Sequence, residues 1–154
     1  MTQIDLFKIS EVELVYRQRV RASERPKVTS STEAYRLFRQ NWDDCTINLL
    51  EEFKILLLDR SNKCMGLSNI SKGGMSATVV DPKIVFTTAL KAKACGLILG
   101  HNHPSENCVP SDLDVRLTDK MVRAGKLLDI SVLDHIIVTN EGYYSFADEG
   151  RLTL

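Results

Sequence analysis

No stretch of the sequence comes near the roughly 18 consecutive apolar residues that a membrane-spanning helix requires. The opening Met1-Thr2-Gln3-Ile4-Asp5 has neither the basic region nor the apolar run of a secretory signal. A cytoplasmic protein with no membrane partner is therefore expected. A prevailing sign of charge is missing too: Lys and Arg number 20, Asp and Glu number 20, and the formal net charge is zero. That balance removes any global electrostatic reason to expect nucleic acid or an anionic surface as partner. Cys45, Cys64, Cys95 and Cys108 are scattered with no C-x-x-C pair, so they read as small apolar fillers kept reduced. Cys108 lies between the histidines and the aspartate discussed below, but its spacing fits no ligand pattern and loop filler remains the reading. Internal repeats and low-complexity tracts are also lacking.

What is present is an ordinary globular composition, 44% hydrophobic and 26% charged over 154 residues, enough for one domain with a real core. Glu11 to Tyr16 alternates loosely and is expected as a strand. Arg17, Arg19 and Arg21 would then share one face of an extended segment, followed by Arg25 and Lys27. Such a basic run reads first as a solvated edge strand and second as a nucleic-acid contact. Ser30-Ser31-Thr32-Glu33 has the hydroxyl cap and acidic first turn of a helix start, and Trp42 after that helix is expected to be a packing residue. Glu51 to Asp59 is a strong strand, returned through a polar turn by a second strand from about Cys64 to Ile70. Asp81-Pro82 opens a helix, and the apolar run Cys95 to Gly100 suits a central strand buried on both faces. A helix from Ser111 to about Leu128 and strands at Ile130–Val138 and Tyr143–Phe146 complete the chain. The fold expected is a three-layer α/β/α domain around a mixed sheet. Residues 1–50 would supply a strand and helix packed on the domain formed by residues 51–154.

Chemistry concentrates between Gly100 and Asp114, in G-H-N-H-P-S-E-N-C-V-P-S-D-L-D. His101 and His103, two apart at a strand end, point to one face and can reach one ion, with Asn102 turned the other way. Pro104 stops the strand, so the pair sits at its rim, where sites in α/β sheets open. Asp114, in the first turn of the next helix, is the natural third ligand. Two imidazoles and one carboxylate, with a fourth position left open, compose a catalytic rather than a structural zinc site. Taken alone, Ser111-Asp112-Leu113-Asp114 is a helix capping box and H-x-H is two ordinary histidines. The combination, H-x-H then seven residues then S-x-x-D, is specific.

That combination resembles the JAMM metalloprotease motif, and within that superfamily the chain looks like the RadC-like proteins of bacteria. The likeness runs from about Glu51 to Leu152 and takes in His-Asn-His-Pro-Ser, Pro110-Ser111, Asp114, Leu133-Asp134-His135 and Tyr144-Ser145-Phe146. It implies a JAMM/MPN-type metallopeptidase domain with one Zn2+ held by His101, His103 and Asp114, acting on a peptide or isopeptide bond of a peptide or protein substrate. It also implies that Ser111 stabilises the oxyanion and that an upstream glutamate serves as general base. The E-x-F spacing selects Glu51 for that base, with Glu52, on the opposite face, as second choice. His135 is implied to be structural beneath the site, a fourth ligand being the sharper alternative. Asp112 reads as a first-turn carboxylate favoured by the helix dipole.

Two departures from the family pattern stand out. Glu106 occupies the position after His-Pro-Ser where glycine is usual, and glutamate adopts φ > 0 only at a cost. In addition, only about 50 residues precede Glu51 and they carry no helix-hairpin-helix signature, which weakens the DNA-repair role that the family name suggests. Nucleic-acid binding and a metal-holding scaffold without turnover are the competing functions.

Overall fold

The computed structural model describes residues 9–13, 15–74 and 78–152. In chain order the described elements are α1 (Ser31–Gln40), β1 (Glu52–Leu58), β2 (Cys64–Lys72), α2 (Pro82–Lys91), β3 (Gly96–Asn102), α3 (Asp112–Leu127), β4 (Ser131–Val138) and β5 (Tyr143–Ser145). The strands form one sheet in the order β2-β1-β3-β4-β5. β1 runs antiparallel to both β2 and β3, β3 and β4 are parallel, and β5 returns antiparallel on β4. The sheet is thus mixed, as expected.

Local chemistry accounts for most boundaries. The β1–β2 turn closes because Asp59 Oδ1 accepts from the backbone N–H groups of Ser61 and Lys63. Ser30 caps α1 through Glu33 N, while the Glu33 carboxylate reaches back to Thr29. Asp81 caps α2 through Lys83 N, with Pro82 in its first turn. The parallel β3–β4 step requires a crossover, and α3 supplies it.

The alternation of each strand sends residues to two cores. Phe53, Ile55, Leu57, Leu97 and Leu99 pack under α2 and α3, against Val85, Phe86, Ala89, Met121 and Val122. Leu56, Leu58, Ile98, Ile136 and Val138 face the other way, against Val28, Ala34, Phe38, Trp42 and Ile47. The result is three layers, α/β/α, with residues 28–47 covering one face. β1 and β3 are buried along their whole length, which explains their near-continuous apolar runs.

The expected strand over Glu11–Tyr16 is not formed in its described residues; Leu14 lies outside them. Alternation alone does not hold a strand without a neighbouring edge to pair with. The free side of β2 is taken further along, where Cys64 N donates to Pro26 O and Val28 N donates to Asn62 O. The basic run therefore does not present a strand face: Arg17, Arg19 and Arg21 are exposed, a short turn of 3-10 helix covers Ala22–Glu24, and Arg25 pairs with Asp59 at 2.9 Å. Among the described residues no helix is long and apolar enough to cross a membrane.

One contact ties the α1 layer to the strand that carries the histidines. A Cβ on Gly100 would stand 2.6 Å from the Phe38 ring, itself fully buried. Gly100→Ala is expected to force the ring aside and cost about 1–3 kcal/mol, as overpacking typically does. Urea unfolding measures this directly, and stability equal to wild type would refute the close approach.

Candidate metal centre

The centre is built where β3 ends. Leu97, Leu99 and His101 share one face of that strand, and His103 follows just past it, with its N–H still donating to Val138 O on β4 at 3.3 Å. Phe53 lies opposite His101 in the β1–β3 register, and the two rings stack 6.2 Å apart at 8°. Asp114 enters from the first turn of α3, where a capping box is formed: Asp114 N donates to Ser111 Oγ and Ser111 N donates to Asp114 Oδ2. The box positions the carboxylate rather than occupying it. Asp114 Oδ1 stands 3.3 Å from His101 Nε2 and Oδ2 stands 3.2 Å from His103 Nε2.

These distances decide whether one ion fits. The two Nε2 atoms are 2.9 Å apart, so three side chains from two elements converge with edges between 2.9 and 3.3 Å. Ligand atoms about 2.1 Å from a tetrahedral ion lie about 3.4 Å from one another. The triad is a slightly contracted version of that geometry. His103 is also prepared electronically: its Nδ1 lies 2.6 Å from the carbonyl of Asn107, an acceptor only, so Nδ1 carries the proton and Nε2 is left for the centre. Burial works against charging His103, but hydrogen bonding and charge from Asp114 overcome it and raise its pKa. Burial would likewise raise the Asp114 carboxyl, yet hydrogen bonds with His101 and His103 and the backbone of Ser111 hold it well below the usual carboxylate range.

Glu51 completes the group. It precedes β1 by one residue, and its carboxylate, His101 and His103 offer atoms within 4.8 Å of one another. Burial raises its pKa, partly offset by the two histidines, while Asp114 adds to the rise. Glu52 faces the other core, where it meets Lys54 at 3.6 Å and Lys72 at 3.3 Å. Ser111 is exposed, and its Oγ uses an acceptor site on Asp114 N, which leaves its hydroxyl proton free to donate. His135 is fully buried under His101, which pushes its pKa well down. Both its nitrogens are engaged, at 2.7 Å from His101 Nδ1 and 2.6 Å from Thr118 Oγ1, so it has no nitrogen to offer as a fourth ligand. Cys108 Sγ packs 3.7 Å from Thr139 Oγ1. Glu106 does take the glycine-like conformation, at φ 68°. Its carboxylate accepts from Asn140 N at 3.0 and 3.2 Å, which fastens the loop to the β4–β5 turn in compensation.

Two residues that sequence reasoning passed over support this geometry. Thr118 lies one helical turn after Asp114, a spacing that places both on the inner face of α3. Strand alternation says only that Asn102 points away from the histidines; its side chain is fully buried and hydrogen-bonded by both ends of its amide.

Fold and cluster together define an α/β/α domain with a histidine–carboxylate group, able to hold a metal ion, at the carboxyl end of its central strand. The family model described as the RadC-like JAB domain matches residues 28–151, and the chain belongs to that family. The chain is 41% identical over 143 residues to a UPF0758 protein of Flavobacterium johnsoniae, covering 92% of this chain and 61% of the relative. It is 38% identical over 141 residues to a UPF0758 protein of Alkaliphilus metalliredigens, covering 86% and 60%. A UPF0758 protein of Porphyromonas gingivalis is 37% identical over 136 residues, covering 88% and 60%. The chain thus spans about three fifths of the length of these relatives, and their shared name specifies no reaction.

Proposed function

We propose that this domain is a zinc-dependent metallohydrolase that cleaves amide bonds, of the peptide or isopeptide class. The observation that carries the reading is the convergence of His101 Nε2, His103 Nε2 and the Asp114 carboxylate at 2.9–3.3 Å with Glu51 beside them. His101, His103 and Asp114 would hold the ion. Bound zinc supplies Lewis acidity toward a carbonyl and acidifies water at its open position. Glu51 would take a proton from the attacking water and return it to the leaving amine, a role supported by its place beside the histidines and by the rise in its pKa on burial. The free hydroxyl proton of Ser111 is available to the developing oxyanion. Phe53 and His135 pack against the inner side of His101 and hold its ring. The amide substrate class rests on the likeness to JAMM metalloproteases.

Elemental analysis of protein purified without added metal or a histidine tag tests the site. About one zinc per chain is expected in wild type and little in His103→Ala, because removing one of three protein ligands leaves too few to retain it. No metal in either protein after incubation with zinc would overturn the proposal. Zinc in wild type without hydrolysis across a peptide and isopeptide panel would favour a metal-holding scaffold instead.

A further inference from the structure

Behind the cluster, polar groups stand in single file. His101 Nδ1 is 2.7 Å from His135 Nε2, His135 Nδ1 is 2.6 Å from Thr118 Oγ1, and Thr118 Oγ1 is 2.7 Å from the carbonyl of Asp114. Thr118 and His135 are fully buried and His101 nearly so, so water does not substitute for any partner. The direction of the file then follows from its end. A backbone carbonyl only accepts, and at 2.7 Å the Thr118 hydroxyl gives its one proton there. Thr118 must accept from His135, which therefore carries its proton on Nδ1. His135 Nε2 is left as a lone pair, so His101 carries its proton on Nδ1. His101 Nε2, the atom facing His103 and Asp114, is the nitrogen left for a metal ion, which displaces any proton it shares with the Asp114 carboxylate. The reverse direction would set two oxygen lone pairs against each other between Thr118 and the Asp114 carbonyl.

We propose that Thr118 and His135 are positioning residues whose directed hydrogen bonds fix His101 in the tautomer that presents Nε2 to a metal ion. The inference rests on the metal site proposed above and adds the residues that prepare it. Ring packing supports it: His135 is stacked on Phe146 at 4.8 Å and 11° and meets the edge of Phe53 at 5.7 Å, so its plane is held. The file also returns to α3, since Thr118 donates to the backbone of the same turn whose side chain, Asp114, faces the ion site. One helical turn thereby sets both a carboxylate and, through two intermediaries, an imidazole.

The chain has only three histidines, so long-range 1H–15N correlation spectra resolve each tautomer. In metal-free wild type, His135 is expected with its proton on Nδ1 and a bare Nε2. Zinc affinity, read by competition with a chromophoric chelator, is expected to fall about 10- to 100-fold in Thr118→Val, the range typical of lost outer-shell partners. Thr118→Ser restores the hydroxyl and should restore wild-type affinity. A proton on His135 Nε2 overturns the proposal, as does Thr118→Val binding zinc as tightly as wild type. Wild type that takes up no zinc overturns the metal reading itself, while the His135 spectrum still reports the direction of the file.

Discussion

Glu51→Gln is expected to keep close to one zinc per chain and to lose amide turnover by about 100- to 10,000-fold in kcat, the range spanned by general acid–base catalysis. The substitution keeps the shape of the side chain and removes its capacity to take a proton. Zinc retention is expected because the contacts at 3.2–3.3 Å belong to Asp114, whereas Glu51 stands in the wider group bounded by 4.8 Å. Its half-buried carboxyl is raised by burial, and His101 and His103 only partly offset this. A base shifted upward in this way holds a transferred proton more readily than a solvated glutamate. Glu52→Gln is the control. Glu52 faces the opposite core beside Lys54 and Lys72, so its replacement should leave kcat unchanged. Undiminished turnover in Glu51→Gln, or an equal loss in Glu52→Gln, would remove Glu51 as the base.

The elements legible in the sequence were those whose causes are local. β1 and β3 announced themselves as short apolar runs because both faces of the sheet are covered. The helix starts at Ser30, Asp81 and Ser111 were visible because each cap is a side chain bonded two or three residues ahead. The face shared by His101 and His103 follows from strand alternation. Glu51 against Glu52 also reduces to alternation once the strand's register with β3 is known, but that register is a tertiary fact. What failed was the strand at Glu11–Tyr16, where a pattern of alternation met no partner edge. What stayed hidden were Thr118 and the Asn107 carbonyl, which matter only through contacts made across elements. The Glu106 loop shows the limit of composition rules: its φ is the one a glycine suits, and the carboxylate bond to Asn140 N is a compensation no local pattern encodes.

A buried amide helps join the third layer to the centre, and its removal should have the largest effect on stability. Asn102 stands between the two site histidines with its side chain on the opposite face, 0% exposed. Its Oδ1 accepts from Glu52 N at 2.7 Å, and its Nδ2 donates to Ile47 O at 2.7 Å and Leu50 O at 2.8 Å. The segment 47–50 and the entry to β1, which carries Glu51, are thereby pinned to the strand carrying His101. Asn102→Ala takes a partner from one N–H and two carbonyls, at about 1–3 kcal/mol for each buried group and less for the half-buried Leu50 carbonyl. A loss of about 3–5 kcal/mol is expected, against a total of about 5–15 kcal/mol. That corresponds to a fall in Tm of about 6–20 °C for a chain of this size. Asn102→Asp isolates the donor half of the amide. It keeps an acceptor for Glu52 N but turns an oxygen toward two carbonyls, so its ionised form is disfavoured in the fold and its folded pKa lies above the unfolded value of about 3.9. The sign follows: this variant's deficit is smallest below about pH 4 and widens as pH rises toward the folded pKa. Chemical unfolding of metal-free wild type, Asn102→Ala and Asn102→Asp at matched pH values measures both effects. An alanine variant within about 0.5 kcal/mol of wild type, the range of an ordinary surface change, would show that the amide does not hold the layers. A deficit in Asn102→Asp that does not change with pH would show that the two carbonyls do not face it.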